Sequence, residues 1–331
     1  MRGEYSYIGG WLAKRRRALA TLIALAITIV AAVTAPSWAA AAAPADAAFR
    51  AEVARFIEEE LRLFPERATY VGDHRYDDRV GDLTRGGVDA VIAHAKRWQK
   101  TFGAADATAL SAANEADREW LLARLDGYLL WNEQLRTYES DPSMYLPTSG
   151  VYSLVIRDFA PLEKRMQLVT ARATASLKNL EAAHANLKAE RTAKISVEIA
   201  LSELNGALGF LRTELPSVFD SLADGPPKRA FHAANEKLIA ATEGYRNWLR
   251  DALLPRASGS YAIGADAYRR MLRDYDMVEV PLDELEEAGT RELERLQKRF
   301  EETAARIDSG KTPAEVMKAV TANPPPADKV I

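Results

Sequence analysis

The chain has 331 residues, 27% of them charged and 48% hydrophobic, with a formal net charge of −3 and no cysteine. Without cysteine there is no disulfide, no thiolate nucleophile and no thiolate-held zinc. A mildly acidic balance of interspersed signs argues against nucleic acid as the main partner.

The chain opens on a segment unlike the rest. Lys14, Arg15, Arg16 and Arg17 precede an uncharged apolar run from Ala18 to Ala35, then Pro36 and the small residues of SWAAAAAPADA. Positive cluster, apolar run and small-residue cleavage site in that order read as a secretory leader over residues 1–43. The run 18–35 is also long enough to serve as an uncleaved membrane anchor. Either way the remainder is expected to be exported: periplasmic or secreted, or tethered to the inner membrane by a retained leader. Beyond residue 43 the chain carries 39 Lys+Arg against 46 Asp+Glu, a net charge of −7. That length suffices to bury a core without cross-links.

Apolar residues then recur every three or four positions, the mark of amphipathic helices. Phe49, Val53, Phe56, Ile57 and Leu61 form the first stripe, up to Pro65. Val88, Val91, Ile92, Ala95, Trp98 and Phe102 form the second, and Trp120, Leu121, Leu125, Tyr128, Leu129 and Leu135 the third. In each, packing against neighbouring helices is the favoured reading over a ligand groove. The stretch DPSMYLPTSGVYSLVIRD carries two prolines, a glycine and a short β-branched run, and predicts an ordered loop with one extended segment. Helices are predicted over about 160–189, about 193–222 and about 228–252. LLPRASGSYAIG is a second ordered loop, punctuated by Pro255, Gly259 and Gly264.

A further helix is expected from Pro281, where PLDELEEAG places four acids in the first turns. Thr312-Pro313-Ala314-Glu315 is a capping-box start. The final PPPAD is again a helix start, with only Lys329, Val330 and Ile331 after it, so the chain is expected to be cut short. The fold class is mainly α: a multi-helix array of long amphipathic helices with two ordered loops.

Candidate chemistry is sparse. His74, His94, His184 and His232 stand far apart in sequence, and none forms the H-E-x-x-H pair that sets two imidazoles on one helical face. There is no G-x-S-x-G elbow, no G-x-x-x-x-G-K-[ST] loop and no G-x-G-x-x-G fingerprint. Acidic runs such as Glu58-Glu59-Glu60 and Glu286-Glu287 read as solvated faces. What remains is the loop GDHRYDD, with Asp73, His74, Tyr76, Asp77 and Asp78 in close sequence. Its carboxylates suit a hard cation, yet their spacing does not fit a calcium loop. The favoured reading is a rigid connection in which Asp side chains bond backbone amides and Tyr76 packs on the core; a direct ligand or substrate role is the other.

The irregular pieces ATYVGDHRYDDRV, SGVYSLVIRDFAPLEKRMQLV and WLRDALLPRASGSYAIGADAYRRML together resemble the bacterial family labelled "domain of unknown function 885". The resemblance covers about 46–331, read as one helical domain. Members look like zincin-type metallopeptidases, often exported or lipoproteins, whose H-E-x-x-H motif lies in the carboxyl-terminal half of a chain near twice this length. No zinc ligand carries over to any position here, so the resemblance implies zinc only for a missing carboxyl-terminal half. It implies an amino-terminal helical half, inactive alone, that walls a cleft for peptide substrates in the full-length protein. The competing expectation is a non-catalytic exported or membrane-tethered helical module that works by contacts.

Overall fold

A computed structural model describes residues 43–322; the leader, its apolar run and the final PPPAD lie outside the described residues. Among the described residues there is no β-strand. The helices are α1 (Ala43–Leu63), α2 (Pro65–Tyr70), α3 (Arg85–Gly103), α4 (Ala112–Leu129), α5 (Thr148–Tyr152), α6 (Leu162–Asn186), α7 (Lys194–Gly209), α8 (Leu215–Ser217), α9 (Pro226–Trp248), α10 (Ala265–Asp276), α11 (Leu282–Ile307) and α12 (Pro313–Thr321). No helix among them is long and apolar enough to cross a membrane.

The chain divides into two compact units. The smaller takes in residues 43–60 and 104–119 of the described chain. Within it, Phe49 and Phe56 are buried, and the Asp46 carboxylate accepts the Ser111 N–H at 2.9 Å. Ile57, expected in the packed stripe, is instead 48% exposed. Successive helical positions point about 100° apart, so beside buried Phe56 it turns outward. In the larger unit Trp120, 50% exposed beside buried Leu121, departs from expectation for the same reason.

The larger unit, residues 61–103 and 120–322 of the described chain, holds the main core. Its centre is the packing of α6 on α9, with α7 alongside. Val169, Leu180, Val197, Leu204, Leu238 and Leu249 are buried there, among others. Burying each such aliphatic side chain stabilises the fold by about 1.5–3 kcal/mol before entropy is counted. Tyr145 and Tyr245 are buried whole, each with its hydroxyl donating to a backbone carbonyl, of Tyr138 at 2.7 Å and of Pro142 at 2.9 Å.

Three of the predicted helices carry π-helical turns, Leu130–Gln134, Phe210–Glu214 and Leu249–Leu253, and proline lies just beyond the last two. After α7, residues Phe210–Glu214 widen so that the Leu215 N–H bonds the Phe210 carbonyl. The Leu211 carbonyl then has neither Leu215 as donor nor Pro216, which has no N–H. Asn235 of α9 supplies the donor instead, its Nδ2 reaching the Leu211 oxygen at 2.8 Å. This is why a polar side chain is tolerated in that buried seam. The π turn Leu249–Leu253 precedes Pro255.

The extended segment expected between residues 142 and 158 does not form. Asp141 caps a 3₁₀ turn, Pro142–Tyr145, by accepting the Ser143 N–H at 2.9 Å, and α5 follows. With no strand nearby to pair with, the backbone satisfies itself locally. Pro65 likewise begins α2 rather than ending a stripe, since proline suits the first helical turn.

Candidate functional site

The GDHRYDD loop is built from the end of α2. The N–H groups of Gly72 and Asp73 bond back to the Thr69 and Ala68 carbonyls, at 3.1 and 2.8 Å. That double closure needs a left-handed residue just past the helix, and Gly72 takes it with φ +89°. Asp73 then starts a 3₁₀ turn, His74–Tyr76, by accepting the Arg75 N–H at 3.1 Å. Its side-chain bonds to Arg75 hold its carboxyl below the usual range.

The turn separates the five candidate residues. Asp77 alone points inward, with its side chain wholly buried. Asp78 faces solvent beside Arg79 at 3.4 Å. Tyr76 is half-buried, with the Arg75 and Arg79 guanidinium groups over its ring. His74 lays its ring on Phe159, centroids 4.0 Å apart and planes 5° apart, while its Nδ1 meets Asp77 Oδ2 at 2.8 Å.

Opposite Asp77 sits a residue that sequence reading missed. Arg172, from the middle of α6, is completely buried. Its Nε donates to the Arg79 carbonyl at 2.8 Å, and its Nη1 to the Gly150 carbonyl at 2.7 Å. Its Nη2 donates to Thr69 Oγ1 at 2.5 Å and lies 3.7 Å from Asp77 Oδ1. The Thr69 hydroxyl in turn donates a hydrogen bond to Asp77 Oδ1 at 2.5 Å. Burial pushes the guanidinium pKa down, and the carboxylates of Glu66, Asp77 and Asp78 oppose that shift. One side chain thus ties α2, the loop after it and α5 to α6.

Arg172 heads a polar row. Asn179 and Asn186 follow at seven-residue steps, two helical turns each, so all three lie on one face of α6. Asn179 donates to the Gly81 carbonyl at 2.8 Å and accepts the Leu83 N–H at 3.0 Å. Asn186 donates to the Leu83 carbonyl at 2.8 Å. From the other side, Glu66 of α2 accepts the Gly81 N–H. The row clothes the backbone of residues 79–83, which has no sheet or helix of its own. A seven-residue spacing of Arg172, Asn179 and Asn186 along one helix is the signal that could have found it.

Two cavities adjoin these loops. One, of about 240 Å³, lies between Glu66, Gly81, Asn179 and the segment around Met144. The other, of about 420 Å³, is half open and belongs to the second ordered loop. Ser258 and Gly259 donate backbone N–H groups to the carbonyls of Ala189 and Thr192, at 2.9 and 3.0 Å. A Cβ on Gly259 would stand 2.2 Å from the Arg191 carbonyl carbon, so only glycine permits this approach. The wall so fixed presents Tyr261 and Ile263 across from Trp131, Asp141, Glu190 and Arg191. Arg191 is held by the Leu135 carbonyl at 2.6 Å and by Glu139, 2.9 Å from its Nε. Burial raises the Asp141 carboxyl pKa, and Glu203 adds to the shift.

The residues in neither place fit zinc. A catalytic zinc asks for three protein ligands on one centre. His74 is engaged by Asp77 and stacked on Phe159. Among the described residues no three His, Asp or Glu side chains gather to hold a metal ion.

The family described as "Bacterial protein of unknown function (DUF885)" matches residues 65–330. The chain belongs to this family. Its match takes in the GDHRYDD loop, the Arg172 row and the second ordered loop together. The chain is also similar to a solved structure, titled "The structure of a putative lipoprotein of unknown function from Shewanella oneidensis". The TM-score is 0.67 and the identity 20%, over 85% of this chain and 50% of that one. At that identity the likeness shows the fold alone, and this chain spans half the length of that structure. No curated protein matches the chain.

Proposed function

We propose that the chain is the exported, substrate-binding helical wall of a zincin-like peptidase of its family. Peptide hydrolysis would fall to a further portion of polypeptide carrying the zinc motif. The observation that carries this reading is the half-open cavity at the second ordered loop. Its lining mixes aromatic rings (Trp131, Tyr261), carboxylates (Asp141, Glu190), a guanidinium (Arg191) and several hydroxyls. An extended peptide offers alternating backbone polar groups and side chains, and such a groove can meet both. In this reading GDHRYDD braces the wall through Asp77 and Arg172 and touches no substrate. Export is supported by the leader-like opening segment and by a structural neighbour titled "a putative lipoprotein of unknown function".

Fluorescence anisotropy with labelled unstructured peptides tests the binding claim. Tyr261→Ala and Glu190→Lys change exposed side chains on the cavity rim. Each is expected to weaken binding about tenfold, about 1.4 kcal/mol, without moving the melting temperature. Absence of peptide binding, or binding indifferent to both changes, would refute the reading. Metal analysis of the purified chain is expected to find no zinc, and one zinc per chain would overturn the division of labour.

A further inference from the structure

The longest helix, α11, is also the barest. Every residue from 286 to 302 is exposed, and Ala304 is the only buried residue in the helix. α12 folds back on its carboxyl-terminal end, burying Val316. Yet α11 carries a regular apolar stripe of Leu282, Leu285, Leu293, Leu296, Phe300 and Ile307, interrupted by Gly289. Leu293, Leu296, Phe300 and Ile307 are between 43% and 60% exposed. At 1.5 Å per residue the stripe runs for about 39 Å. An apolar stripe of that length, with Leu293, Leu296, Phe300 and Ile307 exposed to water, marks an interaction surface.

The charges on α11 say what covers it. Residues 282–294 hold six acids (Asp283, Glu284, Glu286, Glu287, Glu292, Glu294) against Arg291 alone, a net charge of −5. Residues 295–307 hold Arg295, Lys298, Arg299 and Arg306 against Glu301 and Glu302, a net charge of +2. Laid parallel on a second copy, like charges would meet along the whole helix. Laid antiparallel, the acidic half of each meets the basic half of the other.

Most of the apolar positions obey the same arrangement, with Leu285 falling opposite the already buried Ala304. In an antiparallel pair centred between Leu293 and Leu296, Leu293 packs on Leu296 of the second copy. Ile307 then packs on the second copy's Leu282, and Phe300 falls opposite the second copy's Gly289. Nothing lies within 4 Å of where a Gly289 side chain would begin, so a notch is open for the ring. A glycine inside a helix otherwise costs about 1 kcal/mol against alanine, and receiving Phe300 gives it a use. On the flank, Glu292 comes beside the second copy's Arg299, and by symmetry the pair occurs twice. Glu292 now bonds Arg295 within its own helix, an exposed pair that is readily exchanged.

We infer that the exposed face of α11 is a self-recognition surface, pairing antiparallel with α11 of a second copy of this chain. The inference uses no residue of either cavity, so its failure and that of the peptide-binding reading are distinguishable. Light scattering on the purified chain at about 100 μM should give twice the 36.5 kDa of one chain. Leu296→Glu and Phe300→Glu alter exposed positions and should leave helicity and melting unchanged. Each should raise the dissociation constant at least tenfold. Glu292→Arg should weaken the pair, and adding Arg299→Glu should restore it. The chain lacks cysteine, so one spin label on a cysteine placed at Leu282 reads orientation directly. Antiparallel pairing puts the two labels roughly 40 Å apart, whereas parallel pairing brings them within about 20 Å. A monomer at that concentration would assign the face to other polypeptide and overturn the inference. So would a dimer indifferent to Leu296→Glu and Phe300→Glu, or a short label distance.

Discussion

Replacing Asp77 with alanine tests the account of the GDHRYDD loop at its most exacting point. The carboxylate is wholly buried, as is the Arg172 guanidinium 3.7 Å away. Its removal leaves a buried cation without its nearest counter-charge, and it strips the Thr69 hydroxyl and His74 Nδ1 of an acceptor. Breaking a buried pair in this way costs about 3–5 kcal/mol. The Arg172 bonds to the carbonyls of Arg79, Gly150 and Pro65 survive, which places the expected loss near the lower end. For a unit of this size about 3 kcal/mol lowers the melting temperature by roughly 6–12 °C. The same substitution one residue on, Asp78→Ala, removes only a solvated partner of Arg79 and should stay within about 0.5 kcal/mol. Thermal melting followed by circular dichroism, with urea unfolding as a second measure, reads both variants. Equal losses for the two aspartates would refute the buried-brace reasoning. So would a stable Asp77→Ala protein that had lost peptide binding, because that outcome would make the loop a substrate contact.

Three further outcomes follow from the same geometry. Gly259→Ala forces a Cβ against the Arg191 backbone and should cost about 1–3 kcal/mol, read by urea unfolding; an unchanged midpoint would mean the loop shifts freely. Burial raises the Tyr145 hydroxyl to about 12 and pushes that of Tyr245 up as well. Raised phenols contribute stability that is whole below the unfolded value near 10 and is lost as pH rises above it. The absorbance of these two tyrosinates should therefore appear only with unfolding in an alkaline titration, and free titration near 10 would contradict their burial. The Asp126 carboxyl is also raised, by burial first and by Asp274 next. Its contribution is full below the ordinary carboxyl value and fades as pH rises through its raised one, so Asp126→Asn should gain on wild type as pH rises above the ordinary carboxyl range. A constant difference over that rise would show that Asp126 does not titrate as described.

The helices were legible because their cause is local. Periodic apolar residues located α3, α6, α7 and α9, and Thr312 with Glu315 forms the capping box its spacing announced. Places where the reading slipped share one cause, a dependence on partners distant in sequence. The β-branched pair Val155-Ile156 has extended propensity but no strand to join, so it lies in turns just after α5. The π turn at Phe210–Glu214 needs Asn235 to answer the Leu211 carbonyl, and that partner stands 24 positions further on.

The candidate site shows the same division more sharply. Gly72 and Asp73 act within their own turn, and their residue types announce it. Asp77 and Asp78 are adjacent residues of one type, yet one is buried and the other solvated. What separates them is Arg172, nearly a hundred positions away, whose place at the head of the Asn179 and Asn186 row is visible only once α6 faces the loop. A charged residue in a helix reads by default as solvent-facing, because exposure costs nothing and burial of a cation costs several kcal/mol. That default fails here because a loop with no ladder of its own offers carbonyl oxygens that need donors. Arg172 supplies donors to three backbone carbonyls and to the Thr69 hydroxyl, and Asp77 supplies the neutralising charge. The cost of burying the arginine is thus the reason for the aspartate. The pair should accordingly stand or fall together, with the double variant Asp77→Asn and Arg172→Met losing less stability than the sum of the single changes.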